Sequence, residues 1–208
     1  MKCILLHGLG QSAASWDNTV KYMGQASDIL CPELPQWLEG HEPRYDNLYS
    51  GLERYCARFE GPLNLCGLSL GGILALQYGI EHPDRVNSLV LIGTQFVMPK
   101  GLLKFQNVLF HLMPKKAFEE TGFKKRDFIS LCRSMLDLDF RAGLHQLHCP
   151  VLIICGEKDK PNKAAAIQMN EQIPNAKLLL IPGAGHEVNQ DAPGELGRCI
   201  SRFFQANA

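Results

Sequence analysis

Short apolar runs, each closed by a glycine or a turn, punctuate this chain. Cys3–His7, Leu63–Cys66, Ser88–Ile92 and Val151–Cys155 are the clearest, Lys177–Ile181 is a fifth, and Asp28–Cys31 is a weaker sixth. Runs of this length without polar alternation are what strands require when both faces of their sheet are covered. Between them the spacing turns helical. Asn47–Phe59 carries Leu48, Leu52, Tyr55, Cys56 and Phe59 on one face, and Ile73–Glu81 follows the Leu63 run directly. Ala164–Ile173 precedes the Lys177 run and Pro193–Phe204 closes the chain. Strands alternating with helices predict an α/β fold with a mostly parallel sheet of about six strands flanked by helices.

One stretch breaks the alternation. From Thr94 to about His148 there is no clear strand, but many large apolar residues, among them Phe105, Leu109, Phe110, Phe118, Phe128 and Leu131. Residues 95–148 are therefore expected to form a helical insertion, or cap, over the carboxyl ends of the strands. The whole chain, 1–208, is expected to be one domain, since 208 residues suit a single compact core.

Composition narrows the function. With 21 basic and 21 acidic residues the formal net charge is zero, which argues against a nucleic-acid or anionic-membrane binder. The longest basic run, Lys124-Lys125-Arg126, suits a solvated helix face. None of the eight cysteines forms a C-x-x-C pair, and several lie inside apolar runs, so they are expected to be buried free thiols rather than metal ligands or disulfides. Only four apolar residues precede the first polar loop, and no run approaches the length of a membrane span. A cytoplasmic protein with reduced thiols, needing no metal or cofactor, is the expectation.

Gly67-Leu68-Ser69-Leu70-Gly71 matches G-x-S-x-G. The pattern serves a tight strand-to-helix turn that projects a strained serine into a cleft, with glycines where the two backbones crowd. The context fits: LNLC precedes it and ILALQYGIEH follows. A serine hydroxyl needs a base to take its proton, and the base needs an acid to orient it. Both are sought past the ends of later strands, where ligands bind in open α/β sheets. After VLIIC comes Gly156-Glu157-Lys158-Asp159, in which Asp159 is preferred and Glu157 competes. After KLLLI comes Pro182-Gly183-Ala184-Gly185-His186, which offers His186 as the base. His7, His41, His82, His111, His145 and His148 do not follow a strand after the acid. Two backbone N–H groups are expected to hold the developing oxyanion: that of Leu70, which opens the helix, and that of Leu9 in the His7–Ser12 loop. No Gly-Lys-Ser/Thr follows that loop, which excludes a phosphate-binding P-loop.

HGLG, GLSLGG, GEKD and GAGH, in this order, resemble the α/β-hydrolase superfamily, from Cys3 to Phe204. EHPDRVNSLVLIGT and LHCPVLIICGEKD are similar to its core strands, and the 95–148 stretch to its variable cap. The resemblance implies Ser69, Asp159 and His186 as a catalytic triad. It also implies an α/β-hydrolase sheet lacking the first two strands usual in the family. Pro32-Glu33-Leu34-Pro35-Gln36-Trp37 departs from a D-x-P-G-x-G-like stretch common in relatives. Trp37, Phe96 and Phe110 are the candidate substrate-contacting side chains, unless the cap aromatics serve only to pack it onto the core. The expected function is hydrolysis of a small or medium carboxylic ester through an acyl-enzyme on Ser69. Lactonase, thioesterase, C–C bond hydrolase, a lyase resembling the menaquinone-pathway enzyme, a cofactor-free haloperoxidase and a non-catalytic ligand-binding member are the alternatives. A dehalogenase is disfavoured, because its relatives place Asp where Ser69 stands.

Overall fold

In the computed structural model, residues 1–24, 28–98 and 124–207 are described. Six strands form one sheet: β1 (Lys2–Leu6), β2 (Asp28–Leu30), β3 (Leu63–Leu68), β4 (Val86–Ile92), β5 (Val151–Gly156) and β6 (Ala176–Ile181). All pairs are parallel, in the order β2-β1-β3-β4-β5-β6. All six apolar runs are strands, within two residues of the bounds their pattern predicts.

The continuous runs conceal a strict alternation between two cores, because successive side chains leave a strand on opposite faces. Ile4, Leu6, Leu65, Leu89, Leu91, Ile153 and Cys155 face one core. Cys3, Leu5, Cys66, Leu68, Val90, Ile92 and Ile154 face the other. The first core is covered by α2 (Tyr45–Cys56), α3 (Leu70–Glu81) and α5 (Lys160–Gln172). The second is covered by Trp16, by the short helices α1 (Asp17–Val20) and α6 (Val188–Asp191), and by α7 (Pro193–Ala206). Both faces of the four central strands, β1, β3, β4 and β5, are dry, which is why their runs carry no polar alternation, while the edge strands β2 and β6 keep exposed positions.

From β1 the chain steps outward to β2, then crosses back to β3 on the other side of β1. Connections leaving β1 and β3 therefore diverge, and a crevice opens at their carboxyl ends. The Gly8–Gln11 loop and the Ser69 turn leave from these two ends.

The stretch between β4 and β5, where a cap is expected, is partly described. Its two ends meet in an antiparallel clasp: Val97 bridges Asp139, Phe140 N–H donates to Phe96 O (2.8 Å), and Met98 N–H donates to Leu138 O (3.1 Å). One helix of this stretch, α4 (Lys125–Ser134), packs on α2, where Tyr45 N–H donates to Ser134 Oγ at 2.8 Å. Basic residues Lys124-Lys125-Arg126 open this helix, with Lys124 and Arg126 exposed. None of the eight cysteines is paired. Burial pushes the Cys132 thiol up to about 12 and the Cys155 thiol up to about 11, so both stay protonated. Among the described residues no helix is long and apolar enough to cross a membrane.

Candidate active site

Ser69 sits between β3 and α3 with φ 53° and ψ −112°, and among the described residues no other non-glycine residue has a positive φ. Such a conformation stores strain that the surroundings must hold. Three glycines make it possible. A Cβ on Gly67 would strike the Gly71 and Gly72 backbone, one on Gly71 would strike the Leu6 carbonyl, and one on Gly72 would strike Thr94 Oγ1. The start of α3 is thus pressed against the ends of β1, β3 and β4. Ser69 N–H donates to Ile92 O at 2.9 Å, which ties the turn to the end of β4.

The next residue along β4 places the other partners. Gly93 has φ 53°, and a Cβ there would lie 3.0 Å from His186 Cε1 and Nδ1 and 3.3 Å from Asp159 Oδ2. The imidazole and the carboxylate therefore lie on the bare backbone next to the residue that anchors Ser69. His186 Nδ1 is 2.8 Å from Asp159 Oδ2. Asp159 is buried, with a side chain 2% exposed, whereas the His186 side chain is 40% exposed. Among the described residues the Ser69 hydroxyl has no hydrogen-bond partner; contacts of this kind often tighten only when substrate is bound. Burial pushes the Asp159 carboxyl up, but hydrogen bonds from His186 and Asn162 and the charge of the imidazole outweigh it. The net direction is below the ordinary carboxylate value.

Glu157, the competitor, lies elsewhere. Its Oε2 accepts the Gly183 N–H at 2.9 Å, while Glu157 N–H donates to Ile181 O and Lys158 N–H to Ala184 O, each at 2.9 Å. From the other side Asp191 Oδ2 accepts the Gly185 N–H at 2.6 Å. The Glu157 and Lys158 bonds clamp the loop that carries His186 to the loop that carries Asp159, and the Asp191 bond braces the His186 loop from within.

The two N–H groups expected at the oxyanion position belong to the turn after β3 and to the loop after β1. The first bond of α3 runs from Ile73 N–H to Ser69 O (2.9 Å), which leaves the Leu70 N–H without an intrahelical acceptor. The Leu9 loop is braced from beneath. Gly8 N–H donates to Gln11 Oε1 (3.3 Å), and the Gln11 amide exchanges two 3.1 Å hydrogen bonds with Asn189. His7 is buried. Its Nδ1–H donates to Gly8 O (2.9 Å), and its Nε2 accepts the Leu34 N–H (3.2 Å). These partners require the neutral Nδ1–H tautomer. Burial in turn pushes the His7 pKa below the ordinary imidazole value.

The candidate substrate contacts fare differently. Trp37 is half-buried and packs on α2, where its ring covers Gly51 and lies 5.5 Å from the Tyr55 ring. Phe96 is buried in the core at the cap clasp. Phe110 lies outside the described residues. Missing from the sequence reading were Gly93, Asn162, Gln95, Gln11 and Asn189. A glycine closing a strand pattern could have pointed to Gly93, and the three-residue step from Asp159 to Asn162 in the first turn of a helix could have pointed to Asn162.

A parallel sheet with a strained serine after one strand, and a paired acid and histidine after two later ones, defines the α/β-hydrolase class. The chain belongs to the alpha/beta hydrolase family, whose model matches residues 3–198. It is 26% identical to a pimeloyl-[acyl-carrier protein] methyl ester esterase of Nitrosomonas europaea, over 95% of this chain and 93% of that one. It is 24% identical to a putative 2-succinyl-6-hydroxy-2,4-cyclohexadiene-1-carboxylate synthase of Bacillus subtilis, over 68% of this chain and 65% of that one. Among solved structures, a thermophilic esterase from Thermogutta terrifontis superposes with a TM-score of 0.83 at 19% identity, over 99% of this chain and 90% of that one. This last likeness is one of fold.

Proposed function

We propose that this protein is a serine hydrolase that cleaves a small or medium carboxylic ester through an acyl-enzyme on Ser69. One observation carries the reading. The strained Ser69 is anchored to Ile92, and the Asp159–His186 pair lies on the adjacent Gly93. In this mechanism Ser69 Oγ attacks the ester carbonyl while His186 Nε2 takes its proton. The same proton then goes to the departing alcohol, and His186 activates a water to release the acid. Asp159 holds the proton of His186 on Nδ1 and stabilises the imidazolium. The Leu9 and Leu70 N–H groups stabilise the oxyanion, each donor worth about 3 kcal/mol of barrier. No cofactor enters these steps. The relatives named as esterases support the ester reading, and the putative synthase marks the alternative chemistry the same scaffold could host. Eight free thiols support a cytoplasmic setting.

A fluorophosphonate probe tests the nucleophile. The wild type is expected to label and Ser69→Ala to stay unlabelled. A p-nitrophenyl ester series from acetate to decanoate then sizes the acyl site, with a maximum expected at short or medium chains. A labelled enzyme with background rates across the whole series would sink the simple ester reading and direct attention to lactones, thioesters or C–C bonds.

A further inference from the structure

Next to the Asp159–His186 pair runs a chain of side-chain amides for which the mechanism above has no use. Asn162 is buried, in the first turn of α5, three residues after Asp159. Its Nδ2 lies 2.8 Å from Asp159 Oδ1 and 2.9 Å from Oδ2, so it touches both carboxylate oxygens. Its Oδ1 accepts from Gln95 Nε2 at 2.8 Å. That same Gln95 Nε2 donates to the Pro161 carbonyl at 3.2 Å.

The direction of this chain is not free. A backbone carbonyl only accepts, so Gln95 must turn its NH₂ towards Pro161 and Asn162. Asn162 must then offer its oxygen to Gln95 and its NH₂ to Asp159. A carboxylate met by those donors is favoured in its ionised form. Asn162 Nδ2 thus bridges the two carboxylate oxygens and fixes their plane, and Oδ2 also receives His186 Nδ1–H at 2.8 Å. Asn162 Nδ2 also lies 3.1 Å from His186 Nδ1. As two donors cannot bond each other, this contact limits how far the imidazole can swing towards α5.

Resting on the triad reading, we propose that Asn162, oriented by Gln95, is a positioning residue that fixes the plane of Asp159, and with it the tautomer and tilt of His186. Neither residue touches substrate. Gln95 lies where the cap insertion leaves β4, next to the clasp residues Phe96–Met98. The placement of the cap stem and the aim of the acid are therefore set by the same side chain.

An isosteric change at Gln95 discriminates this role from packing. Gln95→Glu keeps the shape but removes the donor, which turns the chain around and drives Asn162 to present its oxygen to Asp159. Gln95→Ala removes bulk and leaves Asn162 free to keep its orientation. On the best p-nitrophenyl ester, Asn162→Ala is expected to lower kcat by about ten- to a hundredfold with KM within about threefold, the scale of a misaimed catalytic group. Gln95→Glu is expected to cost about tenfold and Gln95→Ala about threefold, again in kcat. Fluorophosphonate labelling rates should fall in the same order. Thermal melts check that each variant is folded.

A substrate-free measurement separates the two ideas. The Nδ1 proton of an imidazole held on a carboxylate gives a far-downfield proton NMR resonance. It is expected in the wild type and in Gln95→Ala, and lost or moved upfield in Asn162→Ala and Gln95→Glu. If the wild type neither labels nor hydrolyses esters, the serine-hydrolase reading fails and this resonance still decides the role of Asn162. If the wild type is active but Asn162→Ala matches it in kcat and resonance, or Gln95→Ala is worse than Gln95→Glu, the positioning role is overturned and the triad reading stands.

Discussion

Two histidines stand at the carboxyl end of the sheet, one on the loop leaving β1 and one on the loop leaving β6, and their surroundings could hardly differ more. His7 is sealed in, and both its ring nitrogens are committed to backbone groups, Gly8 O on one side and Leu34 N–H on the other. His186 is 40% exposed and is held through Nδ1 by a buried carboxylate. An imidazole with both nitrogens occupied braces two loops and must stay neutral to do so. An imidazole with one nitrogen tied to a carboxylate and the other turned to a crevice can pass a proton. Position past a strand end, the property they share, does not separate them; the second partner does.

The contrast predicts opposite costs of removal. His186→Ala is expected to lower kcat by about 10⁴-fold or more, as for loss of a triad base, while the melting temperature stays within a few degrees. Ser69→Ala should cost as much, and the double variant no more than either alone, because the residues act as one unit. Steady-state kinetics beside thermal melts checks all three. A Ser69→Ala protein that kept most of its activity would remove the basis of the contrast.

A smaller effect is expected where both residues rest on bare backbone. Gly93→Ala pushes a methyl group to within 3.0 Å of the His186 ring, at a φ that disfavours any side chain. An ångström-scale displacement of a catalytic group costs about 10²-fold, and that is the expected fall in kcat. Titration with denaturant should show an accompanying loss of about 1–3 kcal/mol from the left-handed backbone.

For His7 the loss should fall on stability. His7→Leu leaves the Leu34 N–H without its partner, at about 1–3 kcal/mol for a buried group left unsatisfied, while the Gly8 carbonyl keeps the Gln11 N–H. kcat in the folded fraction should stay within about tenfold. The pH dependence sharpens the point. In the folded chain the His7 pKa is lowered by burial, while in the unfolded chain it has its ordinary value of about 6.5. As pH falls below that value the unfolded chain takes up a proton the folded chain refuses. The stability His7 confers is therefore complete above about pH 6.5 and drains as the pH drops. Asp159 adds a second loss at lower pH, because its folded carboxyl is held below the ordinary value and the unfolded chain again protonates first. Unfolding free energies between pH 8 and pH 4 should show the first decline in the wild type and its absence in His7→Leu.

The frame of this molecule was legible because strands buried on both faces leave unbroken apolar runs, and because G-x-S-x-G encodes a backbone crowding that only glycine tolerates. That Asp159 and His186 lie near each other was legible for a related reason, since each stands in the loop after such a run. What escaped was the lateral bracing. Gln11 meets Asn189 across 178 residues of sequence, and Gln95 meets Asn162 across 67. Polar pairs so far apart leave no local pattern. Trp37 shows the converse. An aromatic in an unusual loop is the candidate pocket wall, and the bare patch of helix that Gly51 on α2 provides for its ring shows only in three dimensions.

The smallest expected effect falls on Glu157, the carboxylate that competes with the preferred Asp159 in the sequence. The two stand two residues apart on one loop, but one is buried against an imidazole and the other is an exposed brace to the Gly183 N–H. Glu157→Gln keeps an acceptor oxygen for that N–H and loses only a charge near solvent. It should cost less than about 0.5 kcal/mol of stability and about threefold in kcat. Asp159→Asn leaves the carboxylate position without its charge and gives His186 the wrong tautomer to meet, for which about 10⁴-fold is the expected scale. Measured side by side on one ester, the two isosteric amides should therefore differ by more than a thousandfold. Near-equal rates for the pair would mean that the acid partner is exchangeable within this loop, and that burial beside His186 is not what selects it.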